Sequence, residues 1–381
     1  MMLLEHDAKE LLGRIGLPIP GGILVRTAAE AESVPLPVVV KAQVPVGGRG
    51  KAGGIRLVHS VEERDAVIDA ILGMSIKGHQ VKALRLEQPV DYVEEAYISF
   101  TLAASSADVT ILVSAQGGVD VEEAAARGLI PSASATLTID AMQHAVDGLS
   151  DQLSGAIAAA VREAGHALAH AFFDLDAMLL EINPLFIRAD GSWVIGDTKL
   201  VADDNAFERS DIVRERVESQ PDLYPQLAIK LSQGYDFITL DQHGDIGLVT
   251  TGAGLSMQLI DELVARGHSP INFCDIRTGM FRGDPARLIQ VLRWIAQGPH
   301  IKVVLVNFFA GLTDLAEIAG LLLAAMKEVE ELKVPVVARL IGNNLDAALG
   351  VIEQAGNPIL IETDLERAIA RASALCGKIA A

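Results

Sequence analysis

The sequence predicts an α/β protein in two halves, an α+β first half followed by a parallel, doubly wound sheet. Three observations carry that expectation. Beyond Asp245, Val/Ile-rich runs at 246–250, 270–275, 302–308, 334–339 and 358–361 alternate with helical stretches such as 254–266, 285–296 and 364–376. Parallel strands joined by crossover helices give that alternation. Before it, the β-rich runs 179–187 and 192–200 flank Ala189-Asp190-Gly191, a short glycine-ended loop suited to an antiparallel hairpin. The third observation is a strand, Pro37-Val38-Val39-Val40-Lys41, running into the arm Val46-Gly47-Gly48-Arg49-Gly50-Lys51-Ala52-Gly53-Gly54.

Taken in order, residues 3–14 form an acidic amphipathic helix ending near Gly16, and Leu17-Pro18-Ile19-Pro20 turns the chain. After the glycine arm, 55–58 reads as strand, 61–72 as helix and 82–88 as strand. Strands at 95–104 and 108–114 bracket a Ser105-Ser106 turn. A loop at 116–126 enters an acidic helix, and 153–173 is a long alanine-rich helix. Residues 202–240, rich in charge and holding Pro221 and Pro225, read as a connector, which divides the chain into domains at 1–235 and 240–381. Within the first, 21–90 is a subdomain.

Composition narrows the function. Lys and Arg number 31 against 50 Asp and Glu, a formal charge of −19, which argues against binding nucleic acid or an anionic membrane through a basic surface. No apolar run is long enough to span a bilayer. Cys274 and Cys376 match no metal-ligand spacing, so a reducing, cytoplasmic setting is expected. His166 and His170 share a helix face, but their alanine-rich neighbours offer no third ligand.

The hairpin is the most chemical stretch. A loop centred on Asp190 sets Asn183 opposite Asp197 and Glu181 opposite Lys199, and the two-residue period puts all four on one face. Such a set suits Mg²⁺ holding nucleotide phosphates, because Mg²⁺ takes few protein oxygens and keeps its waters. An exposed polar face with a Glu181–Lys199 pair suits it equally. Lys41, at the end of a buried strand, can meet phosphates as a point charge while the glycine arm donates N–H groups; an ordinary basic hairpin tip is the alternative. Glu87 and Glu95 flank a possible linker, where a carboxylate can accept from ribose hydroxyls or simply face solvent. Gly252-Ala253-Gly254 ahead of a helix can take an anion, or be a bare βα turn.

Together, VVVKAQVPVGGRGKAGG (38–54), LLEINPL (179–185), DTKL (197–200) and GAGLSM (252–257) resemble the β subunits of succinyl-CoA synthetase and related ADP-forming acid–CoA ligases. The resemblance covers nearly the whole chain. It implies an ATP-grasp half followed by a flavodoxin-like ligase half. It also implies that Lys41, Gly48, Arg49 and Gly50 contact nucleotide phosphates, that Glu87, Val90 and Glu95 lie on the adenosine side, and that Asn183 and Asp197 ligate Mg²⁺. Glu181 would orient a phosphorylated histidine, and Pro20 favours ATP. That histidine and the CoA site would belong to a separate α subunit, in an αβ or α2β2 assembly, with a carboxylic acid as substrate.

This sequence departs from the family pattern at three places. Thr251 stands for the usual Asn, 277–283 reads Arg-Thr-Gly-Met-Phe-Arg-Gly, and Gly311-Leu312-Thr313-Asp314 replaces Gly-Ile-Val-Arg. All fall at strand ends where the acid is expected, so Thr251, Arg277, Gly311, Leu312 and Thr313 are candidate substrate residues and the acid is expected to differ from succinate.

Overall fold

The computed structural model describes residues 1–116, 130–207, 209–277 and 283–377. The expected loop and acidic helix at 116–126 fall almost wholly outside them, as does 278–282 of the second-half loop. The chain forms two compact units, Met1–Ser219 and Gln220–Ala381. The stretch 220–235 therefore groups with the second unit, not the first as the connector suggested.

In the first unit, helix α1 (Glu5–Arg14) precedes strand β1 (Gly22–Val25), β2 (Val38–Ala42), β3 (Ile55–Val58), helix α2 (Val61–Leu72), the short ribbon β4 (Ser75–Ile76) and β5 (His79–Gln80), and β6 (Leu84–Glu87). Strands β1-β6-β2-β3 make an antiparallel sheet. Its alternating apolar residues Val38, Val40, Leu84 and Leu86 are buried with Ile68 and Ile71 of α2. Ser60 caps α2 by accepting the Glu63 N–H, the usual remedy for orphan donors at a helix start.

A second sheet holds β7 (Glu94–Ala103), β8 (Asp108–Ser114), β9 (Ser132–Thr136), β10 (Ala177–Ile187), β11 (Trp193–Ile195) and β12 (Thr198–Ala202). Helices α3 (Ile139–Ser150) and α4 (Gly155–Asp174) pack on it. Strand β9 and helix α3 lie outside the elements expected from the sequence, although α3 carries an apolar stripe at helical spacing, Met142, Val146 and Leu149, all buried. The hairpin keeps the register its loop implies, with Leu185 opposite Ile195 and Glu181 opposite Lys199. Its second arm is interrupted at Gly196 and Asp197, between β11 and β12. Helix α1 lies beside β12, tied by Leu3 N–H to the Leu200 carbonyl at 2.9 Å. Helix α5 (Asp211–Glu218) closes the unit and meets α1 through Arg216 and Asp7 at 2.6 Å.

The second unit opens with α6 (Pro225–Gln233) and β13 (Asp236–Thr239), followed by β14 (Ile246–Thr250), α7 (Ala253–Ala265), β15 (Asn272–Asp275), α8 (Ala286–Ala296), β16 (Val303–Asp314), α9 (Leu315–Glu328), β17 (Val336–Asn343), α10 (Leu345–Gln354), β18 (Ile359–Glu362) and α11 (Leu365–Leu375). Strands β14-β16-β17-β18 form the parallel sheet. Helices α8 and α9 bury one face of it, and α7 and α11 the other. The expected second parallel strand, 270–275, does lie alongside β14 in the parallel sense: Ile246 bridges Pro270, the Ile271 N–H donates to Ile246 O at 2.8 Å and the Ile276 N–H to Thr250 O at 2.9 Å. Between these points the Asn272 amide interrupts the ladder, donating to Leu248 O and accepting from Leu248 N–H, and β15 also pairs antiparallel with β13. Residues 311–314 also depart from the loop expected there. They extend β16, beyond a register irregularity at Ala310.

Candidate active site

The first unit holds a buried charged network assembled from five places in the chain: α1, β2, the glycine arm, β6 and the break between β11 and β12. Lys41 on β2 is 7% exposed and lies beside Arg85 of β6 in the strand register. Its ammonium contacts Glu5 Oε1 at 2.9 Å, Glu87 Oε1 at 2.8 Å and the Gly196 carbonyl at 2.9 Å. Lys9, fully buried on α1, meets Glu87 Oε2 at 2.6 Å, Glu5 Oε1 at 2.9 Å and the same carbonyl at 2.8 Å. Arg85 donates from Nε to Glu87 at 2.7 Å and from Nη2 to the Pro20 carbonyl at 2.9 Å.

The glycine arm supplies Arg49. Gly48 takes φ +82°, a conformation that glycine adopts without strain, and the turn is closed by Ala52 N–H to Gly48 O at 3.1 Å and Gly54 N–H to Arg49 O at 2.9 Å. Gly48 and Gly50 stay exposed while the Arg49 side chain folds inward. Its guanidinium reaches Glu5 Oε2 at 2.7 Å, Ala42 O at 3.0 Å and both oxygens of Asp197 at 2.8 and 2.9 Å.

The electrostatics follow from this packing. Burial opposes ionisation of Glu5, but Arg49, Lys41 and Lys9 outweigh it and hold the carboxyl well below its ordinary range. Glu87 is lowered for the same reason, by Lys9 and Lys41 against its burial. Burial would discharge Lys41, yet Glu5 and Glu87 raise it, so it stays an ammonium. His6 goes the other way. Burial, with Arg85 beside it, lowers it to about 3, and its Nδ1 must accept the Arg85 Nη1 donor at 2.8 Å. Four cations (Lys9, Lys41, Arg49, Arg85) thus face three carboxylates (Glu5, Glu87, Asp197), with half-exposed Glu10 at 3.4 Å from Arg85. A buried network of this size is a weak device for stability and a strong one for presenting charge to a ligand.

The hairpin brings Asn183 and Asp197 to neighbouring cross-strand positions, joined by Asn183 N–H to Asp197 O at 3.1 Å. Glu181, Asn183, Asp197 and Lys199 are all partly exposed, whereas Leu180, Ile182, Thr198 and Leu200 between them are buried. The oxygen-only donors Asn183 and Asp197 fit Mg²⁺, and the Asp197 carboxyl, raised by burial, is one that a cation would favour. Arg49 fills that role here.

Glu87 ends β6 rather than lying in a linker, and its oxygens meet Lys9, Lys41 and Arg85. Val90 and Glu95 stand outside the network. Glu95 lies in β7 opposite Phe186 and accepts from the Tyr92 hydroxyl, and the Tyr92 ring stacks on Phe186 at 4.3 Å. Sequence reasoning missed Glu5, Lys9, Arg85 and His6. A signal was there: Glu5 and Lys9 fall on the same helical stripe as Ala8 and Leu12, where charge has no business facing an apolar neighbour without a partner.

In the second unit the candidate substrate residues lie at the carboxyl ends of the strands. Thr251 is 7% exposed and its Oγ1 accepts the Phe309 N–H at 3.3 Å. Gly311 O accepts from Asn343 at 2.7 Å, Leu312 is wholly exposed and Thr313 half-buried. Asp314 caps α9 through the Ala316 N–H at 2.7 Å and takes the Asn344 amide at 3.1 Å, which lowers its carboxyl. Arg277, at φ +49°, is exposed and lies 3.7 Å from Asp236.

With this geometry in hand, the chain matches the ATP-grasp domain family over residues 2–187 and the CoA-ligase family over 249–373. It is 36% identical over 378 residues to a protein of Chloroflexus aurantiacus named succinate–CoA ligase [ADP-forming] subunit beta, covering 96% of this chain and 94% of the other. A protein of Aquifex aeolicus with the same name is 33% identical over 381 residues, with 96% of each chain covered. Among solved structures, ATP citrate lyase from Methanothrix soehngenii in complex with citrate and coenzyme A superposes with a TM-score of 0.71 at 21% identity, covering 97% of this chain and 98% of that one, a likeness of fold.

Proposed function

Since the chain belongs to the family of ADP-forming succinate–CoA ligase β subunits, we propose that it is the nucleotide-binding subunit of an ADP-forming acid–CoA ligase. Such an enzyme joins a carboxylic acid to coenzyme A and cleaves ATP to ADP and phosphate. The observation that carries this reading is the convergence of Lys41, Arg49 and Asp197 on one charged network beside the glycine arm. Lys41 and Arg49 would hold nucleotide phosphates. Asn183 and Asp197 would hold Mg²⁺, which neutralises phosphate charge when bound. Arg49 would then exchange its Asp197 partner for phosphate oxygens, freeing the Asp197 carboxylate for the cation.

Glu181 would orient a histidine supplied by an α partner that also binds CoA. Among the described residues the histidine in the network is His6, and it is held neutral with its Nδ1 engaged by Arg85, which does not suit a phosphate carrier. The reaction is then a relay: phosphoryl to the partner's histidine, to the acid's carboxylate, and displacement there by the CoA thiol. A cytoplasmic location and a hetero-oligomer follow from the same reading.

The acid is proposed to differ from succinate. Asp314 stands where the family pattern has a cation and is engaged in capping α9, while Arg277 offers positive charge from a different loop. A second reading, succinate itself, is favoured by the name the relatives carry. The α/β pair assayed over a panel of carboxylic and sulfonated acids separates them, and full turnover with succinate would overturn the first. Asp197→Ala is expected to abolish Mg²⁺-dependent labelling of the partner's histidine by terminally labelled ATP with the fold intact by circular dichroism; unchanged labelling would remove Asp197 from the site.

A further inference from the structure

We propose that Asp245, His268 and Cys376 form a binding site for a divalent cation of the zinc class, remote in chemistry from the oxygen-ligated site of the hairpin. Asp245 immediately precedes β14, His268 follows the turn after α7, and Cys376 ends α11. One ligand atom from each lies within 4.8 Å of the other two, and all three residues are buried. The imidazole is 1% exposed and the carboxylate 11%.

The spacing suits the ion. His268 Nδ1 and Asp245 Oδ2 are 3.2 Å apart, and a tetrahedral zinc with nitrogen and oxygen ligands at about 2.0–2.1 Å holds them about 3.3 Å apart. The Cys376 thiol, 3.9 Å from the Asp245 backbone carbonyl, lies within 4.8 Å of both other ligand atoms and would supply the third corner. Supporting contacts are also in place. The Ser269 N–H binds Asp245 Oδ1 at 2.9 Å, fixing the carboxylate with Oδ2 turned to the histidine, as outer contacts do around ligating groups. The Lys302 ammonium meets the Cys376 carbonyl at 3.1 Å, which ties down the end of α11 that carries the thiol.

Charge decides the class of ion. A thiolate and a carboxylate together neutralise a dication, and a neutral imidazole adds none, so the filled site carries no net charge into an apolar interior. Thiolate and imidazole select zinc-like ions over Mg²⁺. The surroundings are apolar: Cys376 packs with Ile246, Leu248, Leu263 and Ile369. A bound ion would pin the end of α11 to the head of β14.

The full chain, stripped with chelator and kept in excess Mg²⁺, is titrated with Co²⁺ and then Zn²⁺. The expected result is one tightly bound Co²⁺ with a thiolate-to-metal charge-transfer band and tetrahedral d–d bands, displaced by Zn²⁺, and a melting temperature raised by Zn²⁺. Cys376→Ser should lose the charge-transfer band and weaken Zn²⁺ by ~100-fold or more, the upper end of what even an outer contact is worth. A cobalt spectrum of the unaltered chain without the thiolate band would overturn the proposal, whatever the variant's folding. So would Cys376→Ser binding Zn²⁺ undiminished. Either result reduces the His268–Asp245 contact to a hydrogen bond.

Discussion

Glu5 accepts Lys41 and Lys9 on one oxygen and faces Arg49 with the other, so a single buried carboxylate balances three cations. Glu5→Gln leaves them under-compensated, and the expected loss is ~3–5 kcal/mol, read as a lower urea midpoint with an unchanged slope. A midpoint within experimental scatter of the parent would show that water already screens the cluster. His6 sets the pH response. Its folded value of about 3 lies below the ordinary 6.5, so between those two values the unfolded chain binds the proton and the folded chain does not. Stability from this group is complete above pH 6.5 and drains as pH falls, by about 1.4 kcal/mol per unit. Glu5 and Glu87, also lowered, act in the same sense below the ordinary 4.5. The melting temperature should drop steadily on acidification from neutrality, and His6→Gln should flatten the part above pH 4.5. A flat profile in the parent would contradict the neutral buried imidazole.

At the scale of elements, the break between β11 and β12 matters most, because the Gly196 carbonyl there receives both lysines. A methyl added at Gly196 would lie 2.5 Å from the Phe186 ring and 2.7 Å from the Pro184 carbonyl. Backbone oxygen does not step aside as a side chain can. Gly196→Ala should therefore cost about 1–3 kcal/mol of stability and raise the KM for ATP roughly tenfold, since a charge-assisted hydrogen bond is worth about 1.5–3 kcal/mol. A KM equal to the parent's would separate the carbonyl from nucleotide binding. The register of this hairpin was legible because a three-residue loop and a period of two fix it locally. For β15 the parallel neighbour β14 was legible, but its antiparallel partner β13 and the Asn272 amide that interrupts the ladder were not, since neither leaves a local pattern.

For the whole molecule, the formal charge of −19 argues against polyanionic partners, and no helix among the described residues is long and apolar enough to cross a membrane. The proposed division of labour makes a further demand. The chain alone should bind Mg·ATP yet form no acyl-CoA, and adding the α partner should restore turnover together with label on the partner's histidine. Acyl-CoA formation by the isolated chain would refute the two-subunit reading.

The sequence alone determined the two-part α/β architecture, the hairpin register and the glycine arm beside Lys41, all set by periodicity and turn chemistry within a few residues. Tertiary structure decided which charges face one another. Lys9 meets Glu87 across 78 positions, Arg49 meets Asp197 across 148, and Lys9 meets Gly196 across 187. Asp245, His268 and Cys376 likewise converge from three separate segments. Local pattern records which face of an element is buried; it holds no information on which buried charge another element brings to it.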